Sequence, residues 1–176
     1  MNPKNRKRRL DGASCYLCGP IKGPVDDGVI WRKEITPRLE NFGVQVVDPC
    51  QKGDDLGETL DDKAYFTSII QSEDWERLKI EFWPVVRWDL KKVDRADFII
   101  FNYDAKVQTI GSVHELVVAQ FEKKPILLKY DRTQLDVFNP WIAVLIKKNH
   151  FFHDWDQMFE YLERVDSGNI DTSYWV

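Results

Sequence analysis

The chain predicts an α/β domain built on a parallel sheet, and three features of the sequence predict it. Short apolar runs alternate with segments of helical periodicity along the length. One run, Phe98-Ile99-Ile100-Phe101, is apolar on both faces, as a strand covered by helices on both sides must be. Several runs stop at breakers such as Gly19-Pro20 and Asp48-Pro49, where the chain turns into loops. With 176 residues, 43% hydrophobic and 31% charged, the chain is long enough to bury one core and forms one domain.

The elements follow in order. Ser14-Cys15-Tyr16-Leu17-Cys18 reads as the first strand and Val44-Gln45-Val46-Val47 as the second. Phe98–Phe101 is the third, Pro125-Ile126-Leu127-Leu128 the fourth, and Trp141-Ile142-Ala143-Val144-Leu145-Ile146 the fifth. Ile30, Trp31, Ile35 and Leu39 lie at helical spacing, with Pro37 implying a kink or a restart capped by Thr36. A helix is expected near 60–71, and a short one around Leu90, Val93 and Asp94. Val113, Leu116, Val117 and Phe121 mark one helical face after the third strand. Trp155, Met158, Phe159 and Leu162 mark the last helix, with Asp154 as its cap. Five strands with helical crossovers give a flavodoxin-like three-layer domain, strand order 2-1-3-4-5, over 14–176. Residues 1–13 read as a basic, flexible leading segment. In such a sheet, ligands bind beyond the carboxyl ends of the strands near the switch between strands one and three. The loops 18–28, 48–56 and 102–114 are therefore where a site is expected.

Charge excludes some functions. Residues 1–10 hold Lys4, Arg6, Lys7, Arg8 and Arg9 with no acid, which leaves −9 on the rest of a chain of net charge −4. A body that acidic is a poor surface for duplex DNA, so nucleic acid is expected to engage the basic head or not at all. No apolar run approaches the roughly 18 residues of a membrane span, and no secretory signal pattern opens the chain. Three cysteines give no disulfide framework, which points to a reducing, cytoplasmic setting. Cys15 and Cys18 form a C-x-x-C, but on a strand positions i and i+3 face opposite ways, so the pair neither chelates nor couples. Cys50, His114, His150 and His153 match no metal spacing, and G-x-S-x-G is missing. No metal or other cofactor is expected.

Three segments carry candidate chemistry. Gly19-Pro20-Ile21-Lys22-Gly23-Pro24 follows strand one and is either a backbone cradle for an anion or sugar, or a tight strand exit. Gly111-Ser112-Val113-His114-Glu115 opens a helix. With Ser112 as N-cap, Glu115 closes a capping box; alternatively it is a carboxylate held at the positive end of a helix, able to attack an electrophilic carbon. Asp89, Asp94, Asp97 and Asp104 bracket strand three, and paired carboxylates are what glycosyl transfer needs. Trp75, Trp83 and Trp88 cluster with Phe82 and Pro84, as core or as subunit interface.

Taken in order, these pieces resemble one family. Tyr16-Leu17-Cys18-Gly19-Pro20 resembles the Y-L-A-G-P opening of the nucleoside 2-deoxyribosyltransferases. Ala96-Asp97-Phe98-Ile99-Ile100 resembles their A-D strand, Gly111-Ser112-Val113-His114-Glu115 their G-[TS]-x-x-E signature, and Lys123-Lys124-Pro125-Ile126 their K-P-[IV] step into the next strand. The resemblance spans roughly residues 14–130. It implies that Glu115 attacks C1′ of a 2-deoxyribose, that Tyr16 orients that carboxylate, and that Asp97 assists protonation of the departing base. It further implies that Gly19 and Pro20 shape the pocket floor, that Gly111 and Ser112 bind the substrate, with the Ser112 hydroxyl close to the sugar, and that Gln51 reads the base edge. The family's second acid, about six positions before the nucleophile, falls on Thr109 here, so Asp104 is its candidate replacement. Gly19-Pro20-Ile21-Lys22-Gly23 also resembles the phosphate-holding loop of the related deoxynucleoside monophosphate N-glycosidases, in which case Lys22 implies a nucleotide substrate. Trp31, Phe66 and Trp88 are candidates to stack on the base. The expected partners are a deoxynucleoside or deoxynucleotide, a free base and further copies of the chain. Tyr174-Trp175-Val176 is a candidate contributor to a shared site. A non-catalytic nucleotide-binding module on the same fold is the alternative.

Overall fold

The computed structural model describes residues 8–21, 28–51 and 63–170. Its sheet has five strands, all parallel, in the order β2-β1-β3-β4-β5. They are β1 (Ser14–Cys18), β2 (Gln45–Val47), β3 (Phe98–Tyr103), β4 (Ile126–Tyr130) and β5 (Phe151–Phe152). The described helices are α1 (Val29–Glu40), α2 (Lys63–Gln71), α3 (Trp75–Arg95), α4 (Ile110–Phe121), α5 (Pro140–Leu145) and α6 (Trp155–Asp166). This is the flavodoxin-like order that the sequence predicts.

Strand alternation sorts the core into two layers. Cys15, Leu17, Phe98, Ile100 and Leu127 face one way, against Ile35 and Leu39 of α1 and Met158, Phe159 and Leu162 of α6. Tyr16, Cys18, Ile99, Phe101, Ile126 and Leu128 face the other way, against Val93 of α3, Leu116 and Ala119 of α4 and Ile142 of α5. The C-x-x-C is thus split between the two layers. Fully burying a large apolar side chain contributes about 1.5–3 kcal/mol. β1 has four buried residues in succession and pairs with β2 on one side and β3 on the other, so it is a rigid support for any side chain it presents.

Several elements differ from the sequence reading. Trp141–Ile146 is not the fifth strand: Asn139 accepts a hydrogen bond from the Trp141 N–H, Pro140 occupies the first turn, and the segment is α5. The edge strand is instead Phe151–Phe152, two residues long. The short helix around Leu90 is the end of α3, 21 residues that run through Pro84. Pro37 neither breaks nor restarts α1, and the Thr36 hydroxyl donates to the Arg32 carbonyl one turn back rather than capping. Asp154 caps α6 as expected, accepting from the Gln157 N–H. The folded body also begins before residue 14. Leu10 is buried in the core, and Arg8 pairs with Asp166 at 2.9 Å. No helix among the described residues is long and apolar enough to cross a membrane.

Candidate active site

Tyr16 and Cys18 sit two residues apart on β1 and so share a face, the face that α4 covers. Glu115, in the second turn of α4, points back at both. Its Oε1 lies 3.0 Å from the Tyr16 hydroxyl and its Oε2 lies 3.1 Å from the Cys18 Sγ. The Tyr16 hydroxyl is also 3.2 Å from Oδ1 of Asp89. Asp89 lies one helical turn before the buried Val93, on the inner face of α3. Two carboxyl groups therefore converge on one phenol at the carboxyl-end side of β1, next to the switch between β1 and β3. Tyr16 and Cys18 are fully buried, and Glu115 is only 9% exposed.

Electrostatics keeps both donors protonated. Burial pushes the Tyr16 hydroxyl well above its ordinary value, and the neighbouring charges of Glu115 and Asp89 push it further. Burial likewise raises the Cys18 thiol, with Glu115 adding to the effect. Each therefore stays a hydrogen-bond donor to Glu115 rather than a competing anion or nucleophile.

Glu115 is not the partner in a capping box. α4 starts earlier than the sequence suggests, with Thr109 as N-cap, which leaves Ser112 inside the helix. Ser112 is buried, and its carbonyl lies 3.4 Å from the Cys18 Sγ. The helix dipole acts mainly on the first turn, so Glu115 draws little from it, whereas Tyr16 and Cys18 each donate to its carboxylate.

Asp97 lies elsewhere. It precedes β3, and its Oδ2 accepts from both the backbone N–H and the hydroxyl of Ser14 at 2.7 Å. Ser14 opens β1 at the end of the sheet opposite Cys18, roughly 13 Å away at strand rise. The structure therefore places Asp97 apart from the Tyr16–Glu115 pair, where it fastens the amino ends of β1 and β3. Asp104 accepts from the Lys106 N–H and closes a turn after β3. Gln51 is exposed, with its amide 3.3 Å from Asp48. Gly111 is exposed, and a side chain there would meet nothing within 4 Å, so no crowding demands a glycine. Lys22 and Tyr174-Trp175-Val176 lie outside the described residues.

Gly19 and Pro20 are buried at the exit of β1. A Cβ on Gly19 would come within 3.0 Å of the Asn102 carbonyl and of the Trp31 ring, so only glycine lets β3 and α1 approach this closely. Trp31 stacks on Trp155 at 5.6 Å, and Phe66 packs edge-on to Phe82, which occupies two of the expected base stackers with protein contacts. Trp88 is half-buried, with the Lys92 ammonium 4.9 Å from its ring centre. Trp75 and Trp83 are exposed rather than core.

One organising residue was missed from the sequence. Arg32 sits on the inward stripe of α1 with Ile35 and Leu39 and is fully buried. Its Nη1 donates to the carbonyls of Gly28 at 2.7 Å and Pro20 at 3.4 Å, and its Nη2 to those of Gly19 at 3.1 Å and Leu17 at 3.3 Å. Its Nε is 3.4 Å from Asp48, an ion pair rather than an aligned hydrogen bond. One guanidinium thus joins the loop after β1 to the loop after β2. Gly28 has φ 72°, and a Cβ there would lie 2.1 Å from the Pro20 carbonyl, so the turn closes tightly over this charge. An arginine at a core position of an amphipathic helix was the available signal.

A hollow of about 490 Å³ lies between the β3–α4 loop and α5, lined in part by Tyr103, Gln108, Thr109, Asn139 and Trp141. It does not include Tyr16, Cys18, Asp89 or Glu115. The chain that directly continues β1 and β2 past Ile21 and Gln51 lies outside the described residues. No group of three or more side chains suited to hold a metal occurs among the described residues.

No family model matches the chain, and no curated protein matches it in sequence. Solved structures do. A 2-deoxyribosyltransferase from Bacillus psychrosaccharolyticus aligns over 93% of this chain and 96% of its own, with TM-score 0.59 and 16% identity. A conserved protein from Enterococcus faecalis V583 aligns over 87% of this chain and 98% of its own, with TM-score 0.56 and 14% identity. The CMP N-glycosidase of Clostridium botulinum aligns more loosely, at TM-score 0.42 and 14% identity over 85% of this chain. The likeness is one of fold: this chain is a flavodoxin-like α/β domain of the shape that the transferase shares.

Proposed function

We propose that the chain cleaves the N-glycosidic bond of a 2-deoxynucleoside or its nucleotide through a glycosyl-enzyme on Glu115, as a nucleoside 2-deoxyribosyltransferase would. The observation that carries this reading is the pair of carboxyl groups on one phenol. Glu115 and Asp89 each lie within 3.2 Å of the Tyr16 hydroxyl, so their nearest oxygens are about 6 Å apart or less. Two carboxyl groups held this near each other can divide the work of glycosyl transfer, one as nucleophile and the other as acid and base. The likeness of fold to a 2-deoxyribosyltransferase agrees with it.

In the first step a Glu115 oxygen forms a bond to C1′ while the bond from C1′ to the base nitrogen breaks. The departing electron pair stays on the base, which takes a proton from Asp89 in its acid form. Tyr16 donates to whichever carboxylate is charged, and its retained proton lets it serve both. In the second step Asp89 removes a proton from an incoming base or from water, which attacks C1′ and releases Glu115. The proton role thus passes from Asp97, as read in sequence, to Asp89. Arg32 fixes the Gly19-Pro20 turn that borders the carboxylate.

The assembly is proposed to be a homo-oligomer. Ile80 and Trp83 stand exposed one turn apart on α3, on the helix that also carries Asp89.

Incubation with a deoxynucleoside and a different free base, followed by chromatography, tests the reaction. The exchanged nucleoside is expected. Free base plus deoxyribose selects hydrolysis, and binding without turnover across nucleosides and nucleotides selects the non-catalytic module.

A further inference from the structure

The terminal torsion of a glutamate is soft and nearly two-fold, so a single hydrogen bond leaves its carboxylate plane free to turn. Glu115 is held at both oxygens from one strand: Oε1 by Tyr16, Oε2 by Cys18. The tyrosine belongs to the proposed reaction. The cysteine does not, and the opening motif that this chain resembles carries alanine in its place. We infer that Cys18 is a positioning residue for Glu115, a neutral thiol that donates to Oε2 and sets the plane in which the carboxylate meets its electrophile.

The site supplies what a thiol needs for this task. Cys18 is fully buried, lies on the rigid β1, and has two acceptors, Oε2 of Glu115 at 3.1 Å and the Ser112 carbonyl at 3.4 Å. It has one proton. With Glu115 ionised, charge draws that proton to Oε2. With Glu115 esterified and neutral, the Ser112 carbonyl receives it, so no buried donor is orphaned in either state. A thiol is also a weaker donor than a hydroxyl and withdraws less electron density from an attacking oxygen. Among the described residues, the groups that bear on the carboxylate and its donors include Tyr16 and Cys18 from β1, Asp89 from α3, and the Arg32 charge from α1, which reaches the thiol.

The test uses the full chain with glutamate labelled by 13C at the carboxyl, the Glu115 signal being assigned by its loss in Glu115→Gln. Cys18→Ala removes a donor to the anion, so the Glu115 titration midpoint moves up; Cys18→Ser supplies a stronger donor, so it moves down. In exchange assays Cys18→Ala is expected to lower kcat about tenfold with KM unchanged, and Cys18→Ser to restore part of it. A midpoint unmoved by both variants, or moved the same way by both, overturns the inference. If Cys18→Ala does not fold, Cys18→Ser alone decides: a midpoint at or above that of the native chain overturns it. The kinetic arm rests on Glu115 being the nucleophile. The titration does not, so a native protein without turnover defeats the proposed function while the thiol is still tested.

Discussion

At the scale of single residues, Asp89 and Asp97 separate chemistry from structure. Both precede β3 in sequence, but of the two only Asp89 reaches the Tyr16–Glu115 pair. Asp89→Asn is expected to lower kcat by at least about 100-fold, the usual worth of a positioned proton donor, with the melting temperature unchanged. Asp97→Asn is expected to leave kcat within a factor of two and to cost about 1 kcal/mol of stability through its Ser14 contacts, read by urea unfolding. The reverse pattern would return the proton role to Asp97. Tyr16→Phe leaves one carboxylate oxygen without its donor and is expected to lower kcat about 10–100-fold in the same assay. Tyr16 and Glu115 were singled out together through the motifs that the chain resembles, and the structure brings their side chains within 3.0 Å. The sequence could not separate Asp89 from Asp94, since which one points inward depends on the phase of α3, and Pro84 obscured that helix.

At the scale of elements, Arg32 shows why a helix can carry a buried charge. Five oxygen partners, four carbonyls and Asp48, surround its guanidinium. Arg32→Met keeps the length of the side chain but removes the guanidinium's hydrogen bonds to those carbonyls and the counter-charge of Asp48. A loss of about 3 kcal/mol is expected, seen as a lower denaturation midpoint. KM should rise more than kcat falls, since the residue shapes the border of the site and touches no reacting atom. An unchanged midpoint would contradict this account of the loops. The edge of the sheet was the hardest element to read. Six apolar residues from Trp141 look like a strand, and short apolar runs do not distinguish strand from helix. Asn139-Pro140 was the deciding signal, a cap followed by a first-turn proline. The true edge strand, Phe151–Phe152, is too short to show alternation. The three inner strands, β1, β3 and β4, were legible because parallel strands buried on both faces are apolar nearly throughout.

At the scale of the whole molecule, His150 links stability to pH. Its ring is buried between the Ile126 carbonyl and the Tyr161 hydroxyl, and burial lowers its pKa from 6.5 to about 4. The fold holds the neutral ring, so the unfolded chain protonates first as pH falls. This contribution is complete above about pH 6.5 and is lost progressively toward about pH 4. Melting temperatures measured across that window should fall with pH in the native chain and fall less steeply in His150→Gln; parallel curves would exclude the histidine as the cause. Light scattering should find an assembly larger than one chain, and Trp83→Glu should shift it toward the monomer; an unshifted native monomer would remove the proposed oligomer. The central claim concerns a covalent bond, and trapping it is the most direct measurement. Acid-quenched protein, incubated with a 2-deoxynucleoside whose sugar carries fluorine to slow turnover, should gain the mass of one sugar residue, and peptide mapping should place it on Glu115. A sugar attached at another residue, or turnover of the native substrate undiminished in Glu115→Ala, would contradict the account.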